Sequence, residues 1–469
     1  MAHTLEELRD RHGARYKWLV LMTVMIGTMA SILSSTIVNV AVPDLSRHFT
    51  LGQERAQWVS ASFMLAMTLS MLTTPWLLLR FGLRRTYTGA ILLLLAGGVV
   101  GGVSINYPML ISMRVAEGLA AGVLQPIPSI VILRAFDRGE QGRAMGIFGF
   151  GVVLAPALGP SVGGVLVEHF GWRSIFFVVI PFCLAVLAMV HKLLPVNSSM
   201  SGDARALDWK GLLLAGVGIT CLLNGLVHLH DGLVEAASLL LPGIAAIGIF
   251  IAYQLRNDAG LMNMQLFRYR QFAMGALVAF IYGAGLFGST YLLPVYMQMA
   301  LHYSPSEAGV VLLPAGIVLG FTIIAAGRLT DRFAPNVLVS IGLTLLAASF
   351  AMMAVGSRGT GYLALLLIAV VGRIGLGFVL PALSLGAMRG LGADLVAQGA
   401  STINFMRQLG GAIGVSGVGI LLEWRLAATA GGRPLQAFSE TFLLVAALCM
   451  VAILAAWRMT PGPEAPSDT

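Results

Sequence analysis

Helix-length apolar runs follow one another along almost the whole chain, beginning near Trp18, Trp58, Tyr87, Met109, Ala144, Ser174, Gly211, Ala236, Phe272, Ala308, Val337, Leu363, Gly399 and Phe438. Each is long enough for the roughly 20 residues that a helix needs to cross a bilayer. Inside the hydrocarbon, backbone N–H and C=O groups must be satisfied within the segment itself, which leaves only helices and closed barrels. No alternating pattern of about ten residues recurs, as a barrel would require. The chain therefore reads as an all-α polytopic membrane protein with about 14 transmembrane helices. Its charge content agrees: 11% of residues are charged and 57% hydrophobic, whereas soluble chains carry about 25% charged residues.

Lys and Arg are retained on the cytoplasmic side of a membrane, and sorting them onto alternate loops gives an orientation. One side collects Arg9, Arg11, Arg15, Lys17, Arg80, Arg84, Arg85, Arg134, Arg138, Arg143 and most of the remaining basic residues. The other receives Arg47, Arg55, Arg173, Arg358, Arg425 and Arg433. Both termini are expected in the cytoplasm. The pI near 9.7 thus follows from topology and does not indicate nucleic acid. The first apolar run, from Trp18 to about Val42, exceeds a signal-peptide core and is expected to stay as an anchor. Cys183, Cys221 and Cys449 lie far apart within apolar runs, with neither disulfide nor metal spacing.

Two polar connections, Pro195 to Lys210 and Arg256 to Arg270, divide the chain. The expected organisation is an N-terminal six-helix bundle over residues 1–200, a linker and inserted helix pair over 201–258, and a C-terminal six-helix bundle over 259–469. Within the bundles two segments look like copies. Arg114-Val115-Ala116-Glu117-Gly118 leads to Pro126, and Arg373-Ile374-Gly375-Leu376-Gly377 leads to Pro381. Each falls in the fourth helix of its half. Two pseudo-symmetric halves of this kind belong to transporters whose substrate site lies near the bilayer midplane. An ionisable group at that depth costs about 2.5 to 3.5 kcal/mol on insertion scales and persists where it lines a polar cavity or finds a partner. Arg114 and Arg373 are therefore functional candidates, and Arg407 is a third. In the fifth helix, the run from Ala155 to Gly164 concentrates small residues around Pro156 and Pro160. It serves either close packing or a pivot at a proline bend.

These residues, with others, carry a resemblance. Ser35-Thr36-Ile37-Val38-Asn39-Val40-Ala41-Val42-Pro43 in the first helix, the arginine four before Gly118 in the fourth, and Gly159, Pro160, Gly163 and Gly164 in the fifth form one set. Trp172-Arg173-Ser174-Ile175-Phe176, Leu293-Pro294-Val295-Tyr296, Gly327-Arg328-Leu329-Thr330-Asp331-Arg332-Phe333 and Asn404-Phe405-Met406-Arg407-Gln408-Leu409-Gly410-Gly411 form another. Over nearly its whole length the chain resembles the major facilitator superfamily, specifically its 14-helix drug:proton antiporter branch, the Emr/Qac-like multidrug efflux transporters. The resemblance implies export of small amphiphilic or lipophilic compounds, drugs or toxic metabolites, driven by inward proton flow through alternating access. It places the protein in a bacterial cytoplasmic (inner) membrane. The similar systems of cells with two membranes work with a periplasmic adaptor and an outer-membrane channel, so such partners are to be looked for. No cofactor and no enzymatic activity are implied, and no Walker loop offers ATP as an energy source.

Two departures touch the mechanism. The branch usually has an aspartate where this chain has Ser34, and an acid where Leu79 precedes Arg80; the second half keeps its copy as Asp331 and Arg332. A third departure bears on the first, because Glu117 stands where the branch commonly has glutamine. Residues at i and i+3 share a helix face, so Arg114 and Glu117 pair. Burial and a neighbouring arginine act in opposite senses on a carboxyl group's affinity for protons. Glu117 with Arg114 is the expected proton-coupling element; the other reading is a permanently ionised pair that only neutralises Arg114.

Ser34 either hydrogen-bonds into a cavity or packs as a small residue. Asn39 and Gln125, polar in apolar helices, need interhelix bonds or substrate contact. Arg373 has Leu376 where Arg114 has Glu117, so its partner is substrate, backbone or an acid on another helix. Arg407 with Asn404 and Gln408 forms a second polar node. Tyr282, Phe287, Tyr291 and Met297 in the ninth helix are candidates to line a lipophilic pocket or to pack against lipid. His228, His230 and Asp231 lack a further metal ligand. The expected substrate cavity thus comprises Ser34, Asn39, Gln125, Tyr291, Arg373, Asn404 and Arg407, with Gly159, Pro160, Gly163, Gly164, Arg80, Asp331 and Arg332 as conformational elements. Competing readings are a proton-independent facilitator or exporter of one metabolite, and a non-transporting membrane receptor or scaffold.

Overall fold

A computed structural model describes residues 11–195, 206–229, 232–257, 260–356, 360–428 and 434–459. Regular structure among them is helical throughout. In chain order the long helices are α1 (Tyr16–His48), α2 (Gln53–Met71), α3 (Thr74–Gly102), α4 (Tyr107–Ala135), α5 (Gln141–Phe170), α6 (Ser174–Leu193), α7 (Trp209–Val227), α8 (Leu233–Arg256), α9 (Arg270–Met299), α10 (Pro305–Thr330), α11 (Pro335–Ala354), α12 (Tyr362–Gly386), α13 (Val396–Ala428) and α14 (Pro434–Trp457). Thirteen are long and apolar enough to cross a membrane; α2, whose first turn carries Gln53, Glu54 and Arg55, is the remaining one. The all-α polytopic fold expected from the hydropathy is the fold observed.

Local chemistry explains where the helices start and bend. Asn106 caps α4 by accepting from the Met109 N–H at 2.9 Å. Ser304 and Glu307 form a reciprocal capping box at the head of α10, satisfying donors the first turn leaves open. In α3 the backbone turns at Gly82, whose φ of 75° is a conformation that costs glycine little. The Thr86 hydroxyl bridges this bend by donating to the Leu77 carbonyl at 2.9 Å. In α4 the helix breaks at Gln125-Pro126 into pieces ending at Leu124 and starting at Ile127, because Pro126 offers no N–H to the preceding turn.

The chain divides into two compact units. The first comprises Met1–Asp137, Phe148–Trp209 and Val396–Ser401. Within it α4 packs on α1, α2 and α3, and α6 packs on α1 and α3. Its apolar core holds Ile37, Val38, Val59, Leu110, Trp172, Ile175 and Phe176. The segment from Trp172 to Phe176 thus seats its aromatic and aliphatic side chains in this core, while Arg173 stacks on Trp172 and donates to the Ser104 carbonyl at 3.1 Å. Cys183 is fully buried here.

The second unit comprises Arg138–Ile147, Lys210–Leu395 and Thr402–Thr469. In it α11 packs on α12 and α14, α10 on α12, and α9 on α14. Tyr296 sits edge-on to Phe438 and Phe442, with centroids 5.3 and 5.2 Å away. Helices α7 and α8 approach closely where Gly218 meets Ile247 and Gly243 meets Leu222. Their outer faces expose Leu213, Leu241, Ile244, Ile249 and Leu255, apolar surface suited to lipid. Much of the Pro195 to Lys210 connection, with His230 and Asp231, lies outside the described residues.

Candidate functional site

In the first unit α4 carries Arg114 and Glu117 one turn apart, and both side chains are completely buried. Arg114 Nη1 reaches Glu117 Oε2 at 2.6 Å. The guanidinium also donates from Nε to the Val59 carbonyl on α2 at 3.0 Å, and from Nη1 to the Ser34 hydroxyl and carbonyl on α1 at 3.3 and 3.4 Å. Its plane lies over Phe63, 4.3 Å from the ring centroid. One arginine therefore ties α4 to α1 and α2. Separating such a buried pair is costly, about 3–5 kcal/mol when one partner is removed.

The pair fits because its neighbours are small. A Cβ on Gly97 of α3 would collide with the Glu117 side chain, and one on Gly118 would collide with the Phe63 carbonyl. The cluster is not saturated: Arg114 Nη2 and Glu117 Oε1 have no hydrogen-bond partner. Neither side chain is open to solvent in this conformation, so proton exchange on Glu117 requires the packing of α1, α2, α3 and α4 around it to loosen.

Ser34 resolves as a hydrogen-bonding residue as well as a packed one. Asn39 lies higher on α1 and accepts from the Ser60 hydroxyl at 2.7 Å, an interhelix bond. Gln125 is buried at the bend of α4. Gly159 and Gly163 are buried against α1, where added Cβ atoms would come within 2.6 Å of Thr36 Oγ1 and 2.7 Å of Ile37 Cγ1. Pro160 is exposed, and a Cβ on Gly164 would meet open space. Only half of that four-residue set faces a helix. Arg80 is exposed beside the Gly82 bend.

In the second unit three helices converge on Tyr282. Its hydroxyl donates from α9 to the Leu376 carbonyl of α12 at 3.2 Å, one turn past Arg373. The next residue, Gly283, packs against the backbone of Arg407 on α13. Arg407 Nη2 donates to Asn404 Oδ1 at 2.8 Å. Arg373, Arg407 and Asn404 are thus gathered around one phenol, and both arginines keep partial exposure. Tyr282 and Met297 are buried, whereas Tyr291 is 40% exposed.

Asp331, at the end of α10, accepts from the Gly142 and Arg143 N–H groups at the start of α5, at 2.6 and 2.8 Å. Both donors belong to the same unit. Carboxylates suit helix N-termini because the first N–H groups lack intrahelical partners. Burial pushes the Asp331 carboxyl above its ordinary range, against the two N–H groups and Arg389, which pull it down. Arg332 is exposed. Sequence reasoning missed Val59, Phe63, Gly97 and the two N–H groups that hold Asp331. A Gly97-Gly98 doublet inside an apolar helix was the available signal for one of them; a carbonyl partner leaves none.

A profile of the Major Facilitator Superfamily matches residues 24–415. The chain is 31% identical over 417 residues to the Multidrug resistance protein B homolog of Mycobacterium tuberculosis, covering 87% of this chain and 77% of that protein. It is 27% identical over 405 residues to the Lincomycin resistance protein LmrB of Listeria monocytogenes, covering 85% and 84%. Among solved structures, the proton:xylose symporter XylE superposes with a TM-score of 0.67 at 14% identity, covering 96% of each chain. That likeness is one of fold.

Proposed function

The chain belongs to the major facilitator superfamily, and from that premise we propose that it is a secondary active efflux transporter that exports small amphiphilic or lipophilic compounds by proton antiport with alternating access. The names of its relatives, a multidrug resistance protein and a lincomycin resistance protein, support drug-like or toxic substrates. It resides in a bacterial cytoplasmic membrane with both termini inside, arranged as the bundle, inserted pair and bundle divided near residues 200 and 258. A periplasmic adaptor and outer-membrane channel are its partners where a second membrane exists.

The observation that carries proton coupling is the buried Arg114–Glu117 pair with its unshared carboxylate oxygen, Oε1. A proton on that oxygen would turn Oε2 into a neutral acceptor and leave the buried Arg114 charge without its counter-ion, so protonation destabilises the closed packing of α1, α2, α3 and α4 around the pair. Protonation and helix loosening are thereby linked in one direction: each favours the other. Arg114, Glu117 and Ser34 form the coupling element. Asn39, Gln125, Tyr291, Arg373, Asn404 and Arg407 contribute to substrate passage. Gly159, Gly163 and Asp331 act on the conformational change through close contact and helix capping, with Pro160, Arg80 and Arg332 in the same role from exposed positions and Gly164 from a half-buried one.

The complete burial of the pair favours a second reading, a proton-independent facilitator in which the pair is purely structural. Purified protein in proteoliposomes separates the two. A pH jump is expected to drive accumulation of a lipophilic dye by the wild type and not by Glu117→Gln, which still permits downhill exchange. Gradient-driven accumulation by Glu117→Gln equal to the wild type would overturn proton coupling through this residue.

A further inference from the structure

Resting on the exporter reading, we propose that Arg373 and Arg407, on either side of Tyr282, form a site for the carboxylate of an amphiphilic organic anion. The argument begins from an imbalance of charge at membrane depth. Arg114 carries its counter-ion on its own helix and spends further donors on Val59 and Ser34. In the matching segment of the second unit, Leu376 occupies the place of Glu117, and its carbonyl is taken by Tyr282. Arg373 makes no ion pair or hydrogen bond among the described residues, and Arg407 makes a single bond to the neutral side chain of Asn404.

Among the described residues no acid forms an ion pair with either arginine. Helices α9, α11 and α12 contain no Asp or Glu. On α13 the acid is Glu423, sixteen residues beyond Arg407, or about 24 Å along the helix axis. Glu440 of α14 is engaged by Arg425 at 2.6 Å. Two guanidinium groups at this depth are expensive without a counter-charge, and both retain access to the space around them. A ligand that brings its own negative charge removes that cost. The planar, many-donor guanidinium matches a carboxylate in particular. Asn404 turns one edge of Arg407, and the Tyr282 hydroxyl, fixed on Leu376, presents its oxygen lone pair rather than a donor. The two arginines are therefore the anion's donors, and the apolar helix faces around them accept a lipophilic body.

The probe is a dansyl-undecanoic acid, compared with its methyl ester and the matched trimethylammonium compound, titrated by fluorescence against purified protein at neutral pH. The acid should bind at least about tenfold more tightly than either, since a charge-assisted bond contributes about 1.5–3 kcal/mol. Arg373→Gln and Arg407→Gln should each reduce the acid toward the ester while ester binding holds, and Arg407→Lys should keep part of the preference. Equal binding of acid and ester by the wild type overturns the site without any variant needing to fold. So does a preference for the acid that survives both substitutions. Counterflow in proteoliposomes separates this from the exporter reading: movement of the ammonium compound alone defeats the anion site and leaves export standing. Failure of all three to move, with acid-selective binding intact, defeats export and leaves the site.

Discussion

The Ser34 hydroxyl on α1 and the Arg114 guanidinium on α4 meet at 3.3 Å, on the same Nη1 that holds Glu117. The first helix and the fourth thus address one cation, and an acid on either reaches it. In the resembling branch the acid belongs to the first helix; here it stands on the fourth. Ser34→Asp combined with Glu117→Gln should therefore restore pH-driven accumulation that Glu117→Gln alone has lost, to within about tenfold of wild type. Transport assays in proteoliposomes check this, and a double variant as inactive as the single one would show that the position of the carboxylate matters beyond its reach to Arg114.

Arg114 uses its fork shape as well as its charge. Arg114→Lys keeps the cation but cannot serve the Val59 carbonyl, Ser34 and Glu117 together, so the protein should lose about 1–3 kcal/mol of stability. A lower melting temperature in detergent is expected, with a larger drop for Arg114→Ala. A lysine variant melting with the wild type would mean that the guanidinium geometry is dispensable.

Glycines of the fifth helix should separate by the face they occupy. Gly159→Ala and Gly163→Ala place a Cβ against Thr36 and Ile37 and should cost about 1–3 kcal/mol through overpacking. Gly164→Ala meets open space and should be neutral or gain up to about 1 kcal/mol from helix propensity. Thermal melting of the three variants measures the order, which fails if Gly164→Ala is the most damaging.

Asp331 links acidity to stability. Its carboxyl is raised above the ordinary 3.8 by burial, so the folded state binds the proton more tightly than the unfolded chain does. The resulting stabilisation is complete below the unfolded value and is lost as pH rises through the folded one. The melting temperature of wild type minus that of Asp331→Asn should fall as pH is raised through the window above 3.8. A difference that grows with pH would reverse the assignment.

Hydropathy alone carried the fold, because a bilayer admits so few ways to satisfy a backbone. The Arg114–Glu117 pairing was also legible, since spacing along one helix decides it. What joined Ser34 to that pair was not, because contact between helices depends on rotation about axes that are apolar on most faces, and periodicity is then uninformative. Arg373 and Arg407 were visible as isolated charges, but their gathering at Tyr282 needed the register of α9, α12 and α13. The small-residue set at Gly159 to Gly164 read as one motif, although only Gly159 and Gly163 face a neighbouring helix.

The partners of Arg114 have an order of synthesis. Ser34, Val59 and Phe63 all precede it in the chain, as does Gly97, against which Glu117 lies. When the ribosome delivers the buried ion pair of the first unit to the insertion machinery, its docking surface is already in the membrane. The fourth helix can therefore enter against waiting neighbours, and a defect in any of the three preceding spans should surface as its failure to insert.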